Sequence, residues 1–223
     1  MTSISILMPL YNGFEYLHHS LSSIINQTFT NWELIIGING HPENSPFHLQ
    51  VIQLTKNDSR IKVIHYLDIG NKPKTLNLMI KDCSSDLIAI LDVDDFWHHK
   101  KLEIQLPLLN NYDVVGTSCQ YFGDSTNIPN LPYGNLKDFD FFSYNPIINS
   151  SVILKKIDAI WNEETILEDY DLWLNLFYKQ KKSFFNINQI LCFHRISNNS
   201  AFNNTNHLYV DELKNKWKTI INS

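Results

Sequence analysis

The chain has 223 residues, a formal net charge of −5 at pH 7 and 43% hydrophobic residues. This length allows one α/β unit with a sizeable core, or two closely joined subdomains, and excludes three domains. The charge is spread along the sequence without a long basic run, which argues against nucleic acid as a partner. We therefore expect a small ligand that binds locally.

The first half of the chain alternates strand and helix patterns. Continuous apolar runs predict four strands, at residues 4–10, 32–38, 61–66 and 87–91. Helical spacing predicts helices around residues 14–25, 49–54 and 75–82. Because each helix connects two strands, right-handed βαβ units and a parallel sheet of the nucleotide-binding type follow.

The second half is less regular. It predicts a helix at 99–109, a strand at 113–118, a loop-rich stretch from 123 to 150, a strand at 150–154, a helix from about Asp169 and two strands, at 184–187 and 191–195. A soft boundary near residue 96 separates a first half, 1–96, from a second, 97–205. Residues 206–223 predict a C-terminal helix.

The cysteines and the first residues of the sequence indicate the cellular compartment in which we expect the protein. Cys83, Cys119 and Cys192 are widely spaced in apolar surroundings, which argues against a disulfide framework or a zinc site. No window reaches the length of a membrane span, and MTSISILMPL does not read as a signal peptide. We expect a soluble, cytoplasmic protein. Lysines between the apolar residues of the last helix leave peripheral membrane contact open, although docking on the core is favoured.

Three carboxylates follow the fourth predicted strand, in the stretch LIAILDVDDFWH. Asp92, Asp94 and Asp95 lie within four positions, at the sheet edge where open α/β sheets bind ligands. A divalent cation would neutralise them, and oxygen ligands favour Mg²⁺ or Mn²⁺ over zinc. Capping of the helix near His99 is the competing interpretation. No glycine-rich phosphate loop follows the first strand, so a bound nucleotide would need side chains and a metal.

Several stretches, in order, resemble the large family of inverting, GT-A fold nucleotide-sugar glycosyltransferases, family 2-like. They are SILMPLYNGFEYLHHSLSSIINQTFTNWELIIGING, NKPKTLN, AILDVDDFWHHKKLEIQL and ILEDYDLWLNL. The resemblance covers the chain to about residue 200. It implies a mostly parallel nucleotide-binding sheet flanked by helices, with a smaller acceptor-side subdomain.

The resemblance also implies roles for individual residues. The donor nucleotide-sugar would be bound by Pro9, Tyr11, Asn12, Asn39, Lys72, Asn77, Asp92 and Asp94. The metal would be held by Asp94 and Asp95, and Asp169 would be the catalytic base. From the residues alone, the preferred interpretation of Glu168, Asp169 and Asp171 is the first turn of a helix, where the helix dipole favours carboxylates. The earlier motifs turn the preference to Asp169 as the base.

Two positions depart from the family pattern. Asn39 stands where the family normally has an Asp that hydrogen-bonds to the nucleobase. An amide can still form such a bond, but because it both donates and accepts, it specifies the nucleobase less strictly than an Asp does. Ser197 stands where many relatives carry His, which weakens a claim for a further ligand there.

The implied activity is transfer of a hexose or N-acetylhexosamine from a nucleotide-sugar, with UDP-sugar favoured, to an acceptor hydroxyl with inversion. The acceptor would be a glycan, a lipid-linked molecule or a protein. Two alternatives stay open: a non-catalytic nucleotide-sugar-binding module of the same fold, and an Asp-nucleophile phosphatase. Two features argue against the phosphatase. Phe96 stands where that class has Thr or Val, and three predicted strands precede the acidic motif, which phosphatases place on their first core strand.

Overall fold

The computed structural model describes residues 3–66, 71–198 and 206–222. The strands in these ranges are β1 (Ile4–Leu10), β2 (Trp32–Asn39), β3 (Ile61–Tyr66), β4 (Leu87–Ile90), β5 (Phe96–Trp97), β6 (Val114–Gly123), β7 (Gly134–Asn135), β8 (Ile153–Lys155) and β9 (Phe184–Ile196). The α-helices in these ranges are α1 (Leu17–Ile25), α2 (Pro46–Thr55), α3 (Lys72–Met79), α4 (Lys101–Gln105), α5 (Glu168–Leu174) and α6 (Val210–Asn222).

The described strands form one mixed sheet in the order β3-β2-β1-β4-β8-β6-β9-β5, with β7 paired to β9. The first four strands, β1 to β4, are parallel to one another, as their continuous apolar runs predict. Strand β8 then pairs antiparallel with both β4 and β6. The predicted fold class, an α/β sheet of mainly parallel strands flanked by helices, is confirmed.

Both faces of the sheet are covered, which explains why its central strands are apolar at successive positions. In β1, the side chains of Ile6 and Met8 pack into one buried cluster, with α1. The side chain of Leu7 packs into the second cluster, with α3 and α5. The sheet edge is therefore the place left for polar side chains.

Two helices begin earlier than their apolar spacing predicts, because polar caps and prolines start them. The Ser45 hydroxyl accepts a hydrogen bond from the His48 amide at 3.3 Å, just before α2. The side-chain Oδ1 of Asn71 accepts one from the Lys74 amide at 3.0 Å, just before α3. The second cap places Lys72 in the first turn of α3.

Two predicted elements differ in the structure. The stretch 184–196 is one strand rather than two, because the exposed Asn188 and Gln189 are absorbed as an irregularity in its pairing with β6. The helix predicted at 99–109 is α only to Gln105 and then tightens to a 3₁₀ turn, Leu106–Asn110, that contains Pro107. Proline lacks the amide that a longer α-helix would need.

The C-terminal helix α6 docks on the core of the protein. Leu213 and Trp217 are buried in the second apolar cluster, and the Trp217 indole donates a hydrogen bond to Asp171 of α5 at 2.8 Å. The three cysteines are free and buried. Across residues 3–66, 71–198 and 206–222, no helix has the length and apolarity that a bilayer crossing requires.

Candidate active site

A cleft of about 570 Å³ opens at the carboxyl ends of β1 and β4. The chain leaves β1 toward β2 on one side, while β4 lies on the other side of β1, so this is a switch point of the sheet, where open α/β sheets bind ligands. The cleft is lined by Pro9, Leu10, Tyr11, Asn12, Gly13, Glu15, Tyr16, Asn39, Lys72, Asp92, Val93, Asp94, Arg195 and Ser197. Seven of the eight predicted donor-binding residues are among them.

The loop after β1 turns at Gly13. Its φ of 85° lies in the left-handed region, and a Cβ there would meet Val93 at 3.0 Å. Glycine is the residue that adopts this conformation without strain. The turn starts the short 3₁₀ helix Phe14–Tyr16 and so brings Tyr16 to the wall of the cleft.

Asp92 is held in a network of hydrogen bonds at the start of the loop after β4. Its carboxylate pairs with the Lys72 ammonium at 2.8 Å and accepts a hydrogen bond from Asn149 at 3.2 Å. Burial alone would raise the pKa of Asp92, but Lys72 and Asn149 outweigh it and lower the pKa. Asp92 is therefore an ionised carboxylate with defined partners.

Asp94 lines the cleft and has a different environment. Burial and the neighbouring carboxylates of Asp95 and Asp92 raise its pKa to about 6. A positive ligand that pairs with Asp94 would relieve this repulsion. Its position and charge fit an interaction with a cation inside the cleft.

Asp95 is 1% exposed, so the structure separates the two carboxylates that the sequence predicts as a metal pair. One Asp95 oxygen lies 2.9 Å from His194 Nδ1, and the other accepts the Arg195 amide at 2.8 Å. Burial alone would lower the pKa of His194, but Asp95 raises it to about 9, so the imidazole is protonated at neutral pH. Asp95 thus joins the acidic loop to β9.

Within the described ranges, no group of three or more His, Cys, Asp or Glu side chains is arranged to hold a metal ion. Asp94 is the carboxylate that fits one. Mg²⁺ is commonly held by one or two carboxylates together with substrate phosphates, and keeps several waters. The site therefore fits a cation that is shared with a phosphorylated ligand.

Asp169 lies in the first turn of α5, beside the cleft rather than on its lining. Its carboxylate accepts hydrogen bonds from Asn145 at 3.1 Å and from the Tyr170 amide at 2.7 Å. Burial and the charge of Glu168 raise its pKa to about 6, against the opposing effect of Lys72. A carboxylate with this pKa can accept a proton near neutral pH.

Lys72 connects Asp92 with the helix that carries Asp169. Its ammonium lies 2.8 Å from Asp92 and 3.0 Å from Glu168. The acid at the end of β4 and the first turn of α5 are therefore joined through one cation. The structure thus brings Asp169 next to the cleft, although Asp92 and Asp169 are 77 positions apart in the sequence.

Asn39 and Tyr11 lie at the end of the cleft formed by β1 and β2. The buried Asn39 side chain donates a hydrogen bond to the Thr75 hydroxyl at 2.8 Å. Tyr11 is 53% exposed, and its ring centroid lies 5.8 Å from that of His41. This end presents an amide and an exposed aromatic ring, as a nucleobase site needs.

Asn77 does not line the cleft, in contrast to the prediction that it binds the donor. Its side-chain amide donates to the Trp161 carbonyl at 2.8 Å and to Glu163 at 3.0 Å, and its carbonyl oxygen accepts the Trp161 amide at 2.9 Å. Both ends of the amide are thus used to tie α3 to the loop before α5. Asn77 positions that loop.

The sequence interpretation did not single out Arg195, Asn145 or Asn149. Arg195 lines the cleft, and the two asparagines bond to Asp169 and Asp92. The feature of the sequence that could have indicated Arg195 is its position at the end of a predicted strand, LCFHR. The asparagines lie in the loop-rich stretch, where no periodic pattern indicates which side chains turn inward.

The model of Glycosyl transferase family 2 matches residues 5–184. The chain belongs to this family. An O-antigen biosynthesis glycosyltransferase, WbnJ of Escherichia coli, is 30% identical over 89% of this chain and 81% of its own. The Escherichia coli UDP-Glc:alpha-D-GlcNAc-diphosphoundecaprenol beta-1,3-glucosyltransferase WfgD is 26% identical over 97% and 85%.

A solved structure supports the fold of this family 2 glycosyltransferase. The crystal structure of Staphylococcus aureus TarS 1–349 in complex with UDP has a TM-score of 0.74 and 15% identity. The match covers 97% of this chain and 65% of that one. At this identity the likeness shows the fold, and the chemistry has to be argued from the residues in the cleft.

Proposed function

We propose that this family 2 glycosyltransferase transfers a hexose or N-acetylhexosamine from a UDP-sugar to an acceptor hydroxyl with inversion. The observation that carries the proposal is the cleft at the β1–β4 switch point. Asp94 faces into it, and Lys72 joins its wall to the helix that carries a carboxyl with a pKa near 6. Membership of the family excludes the Asp-nucleophile phosphatase.

Donor binding is assigned to the residues that line the cleft. Tyr11, Pro9 and Asn39 would contact the base, and Asn12 and Asp92 the ribose and diphosphate region. The TarS structure was solved in complex with UDP, which supports a uridine nucleotide as the donor. Arg195 and Ser197 also line the cleft, so we assign donor binding to residues 1–96 with a contribution from the second part of the chain.

Departure of the nucleoside diphosphate needs stabilisation of its negative charge. When bound, Mn²⁺ or Mg²⁺ would act as a Lewis acid on the diphosphate oxygens, held by Asp94. Asp95 supports this loop through His194 and the Arg195 amide instead of reaching the ion. Asp92 keeps its ionised form through Lys72.

Asp169 is the proposed base. It would remove the proton of the acceptor hydroxyl as that oxygen attacks the anomeric carbon on the face opposite the diphosphate. Asn145 holds one of its oxygens, which orients the carboxylate. Presence of this acid beside the cleft favours an enzyme over a non-catalytic binding module, and residues 97–205 would shape the acceptor side. WfgD, by its name, uses a lipid-linked acceptor, which makes lipid-linked glycans the first class to test.

A thermal-shift titration tests the donor and metal parts of the proposal. UDP should raise the melting temperature more with Mn²⁺ or Mg²⁺ than with EDTA, because a ligand stabilises the state it binds. Asp94→Asn should lose the metal-dependent part. Asp138→Asn is the matched control, since Asp138 is 87% exposed. Equal shifts with metal and with EDTA would contradict the metal role.

A further inference from the structure

Arg195 is brought into the cleft by the pairing of the two-residue strand β5 with the 13-residue strand β9. Strand β5 pairs antiparallel with β9 so that Phe96 lies opposite Phe193. Continuing that register places Asp95 opposite His194 and Asp94 opposite Arg195. The Arg195 Nε accordingly lies 3.4 Å from the Asp94 carbonyl oxygen, and the Arg195 amide donates to Asp95 at 2.8 Å.

Two aromatic rings hold the guanidinium of Arg195. The centroid of the Tyr16 ring lies 4.1 Å from its central carbon, and the centroid of the Phe122 ring lies 4.4 Å away. A guanidinium stacks on rings through its faces and donates hydrogen bonds from its edge. The rings therefore orient the group while leaving its edge for a ligand that accepts hydrogen bonds.

Arg195 differs from the other cation of the cleft wall. Lys72 is shared between Asp92 and Glu168, and both of those carboxylates are within 3.0 Å. Among the described residues no carboxylate oxygen lies within ion-pair distance of the Arg195 guanidinium. A cation that is preorganised by rings, lies next to Asp94 and pairs with no carboxylate of the described residues suits an anionic ligand.

We propose that Arg195 binds the diphosphate of the donor nucleotide and thereby distinguishes nucleoside diphosphates from nucleosides. This inference rests on the proposed function, because it takes the cleft as the donor site. A planar guanidinium can donate two parallel hydrogen bonds to phosphate oxygens, which an ammonium cannot. Tyr16 and Phe122 act as positioning residues through their stacking on Arg195.

Calorimetric titration with UDP and with uridine tests the assignment. Arg195→Gln should weaken UDP binding by about tenfold to a hundredfold, the range expected for a charge-assisted hydrogen bond, in EDTA as well as with Mn²⁺. Uridine affinity should change less than about twofold, because uridine lacks the diphosphate. Arg195→Lys should restore part of the UDP affinity, because it keeps the positive charge but cannot donate two parallel hydrogen bonds.

Arg60 offers a matched control, since it is the other arginine of the chain. Its guanidinium stacks on Trp32 at 3.6 Å and pairs with Asp58 at 2.7 Å, outside the cleft lining. Arg60→Gln should leave both affinities unchanged. Tyr16→Leu should lower UDP affinity more than uridine affinity, because it removes one of the two rings.

The outcomes separate this inference from the function on which it rests. If wild-type protein binds neither UDP nor uridine, the donor-site assignment fails. If wild-type protein binds UDP and Arg195→Gln binds it equally well, only the Arg195 assignment is overturned. Equal losses of UDP and uridine affinity in a variant that melts as the wild type does would also overturn it, because such losses would not depend on the diphosphate.

Discussion

In the proposed mechanism, Asp169 is the residue that distinguishes an enzyme from a binding module of the same fold. Asp169→Asn keeps the shape of the side chain and cannot take up a proton at neutral pH. We expect the turnover number to fall by about 100-fold or more, while UDP binding persists. Initial rates and calorimetry on the same variant would measure both effects.

Two controls accompany that variant. Glu168→Gln should reduce turnover less than Asp169→Asn, because Glu168 contacts Lys72 rather than acting as the base. Proton NMR of the product of the wild type should show a β-linkage from an α-linked UDP-sugar. A retained configuration would rule out single displacement, and an unimpaired Asp169→Asn would remove this residue from the base role.

In the proposed mechanism, the raised pKa of Asp169 gives the reaction a pH dependence. A general base must be ionised, and burial together with Glu168 sets the pKa of Asp169 at about 6 in the free protein. We therefore expect kcat/KM for the donor, which reports the ionisations of the free enzyme, to rise with pH through about 6 and then level off. A pH profile of kcat/KM would measure it, and the residual activity of Asp169→Asn should lack the same rise. A flat wild-type profile between pH 5 and 7 would contradict the assignment.

The orientation of the Asn39 amide follows from its neighbours. The Thr75 hydroxyl donates its proton to the backbone carbonyl of Asn71 at 3.0 Å, so it accepts the hydrogen bond from Asn39. The amide nitrogen therefore faces Thr75, and the carbonyl oxygen is the other edge of the side chain.

A carbonyl acceptor selects bases that carry a ring N–H. Uracil, thymine and guanine donate such a proton, whereas the corresponding cytosine nitrogen accepts. We expect UDP, dTDP and GDP to displace a labelled uridine nucleotide better than CDP, by about tenfold or more for UDP. Thr75→Val should reduce the margin between UDP and CDP, since it frees the amide to rotate. Equal displacement by UDP and CDP in the wild type would contradict this orientation.

At the scale of elements, Glu33 connects three strands and the loop before a fourth. Its carboxylate accepts hydrogen bonds from Ser5 of β1 at 2.6 Å, Lys62 of β3 at 2.7 Å and the Ser84 amide at 2.6 Å. Burial alone would raise its pKa, but these bonds outweigh it and lower the pKa from 4.5 to about 2. The stabilisation is complete above pH 4.5 and disappears as the pH falls to about 2.

Glu33→Gln should therefore lower the free energy of unfolding by about 1–3 kcal/mol at pH 7. The difference from the wild type should shrink steadily below pH 4.5. Urea unfolding at several pH values would measure it, with the exposed Glu164→Gln as control. A difference that stays constant down to pH 2 would show that the loss has another origin than the charge.

The parallel half of the sheet could be predicted from sequence because strands buried on both faces are apolar along most of their length instead of alternating in polarity. Strand β9 could not be predicted as one element, since the exposed Asn188 and Gln189 look like a turn. Only the pairing with β6 shows that the strand continues beyond these two residues. Likewise, Ser45 and Asn71 start helices through caps that apolar spacing does not record.

At the scale of the molecule, α6 supports the helix that carries the proposed base. The Trp217 indole donates to the buried Asp171 of α5. Trp217→Phe keeps an aromatic ring and leaves Asp171 without this donor, so we expect a loss of about 1–3 kcal/mol in unfolding free energy. Thermal or urea unfolding would measure it. Trp97→Phe is the comparison variant, because it removes an indole that donates to a backbone carbonyl, that of Ser150, instead of a carboxyl group. Its loss of unfolding free energy should be smaller than that of Trp217→Phe.

The site could be predicted from sequence where its residues follow a strand or begin a helix, as with Asp94, Lys72 and Asn39. Contacts between distant segments could not. Asp94 and Asp95 are adjacent in sequence, yet the pairing of β5 with β9 buries one and leaves the other in the cleft. Asn77 lies in the same helix as Lys72, but its side chain bonds to the loop at Trp161.

The lysine shared by Asp92 and Glu168 would couple donor binding to the basicity of the proposed base. A donor diphosphate entering beside Asp92 would compete for the ammonium that pairs with Glu168. With Lys72 drawn toward the diphosphate, the charge of Glu168 would act more strongly on Asp169 and raise its affinity for a proton. The carboxylate would then be most basic when a donor is in place, which would disfavour proton removal from an acceptor that has bound without one.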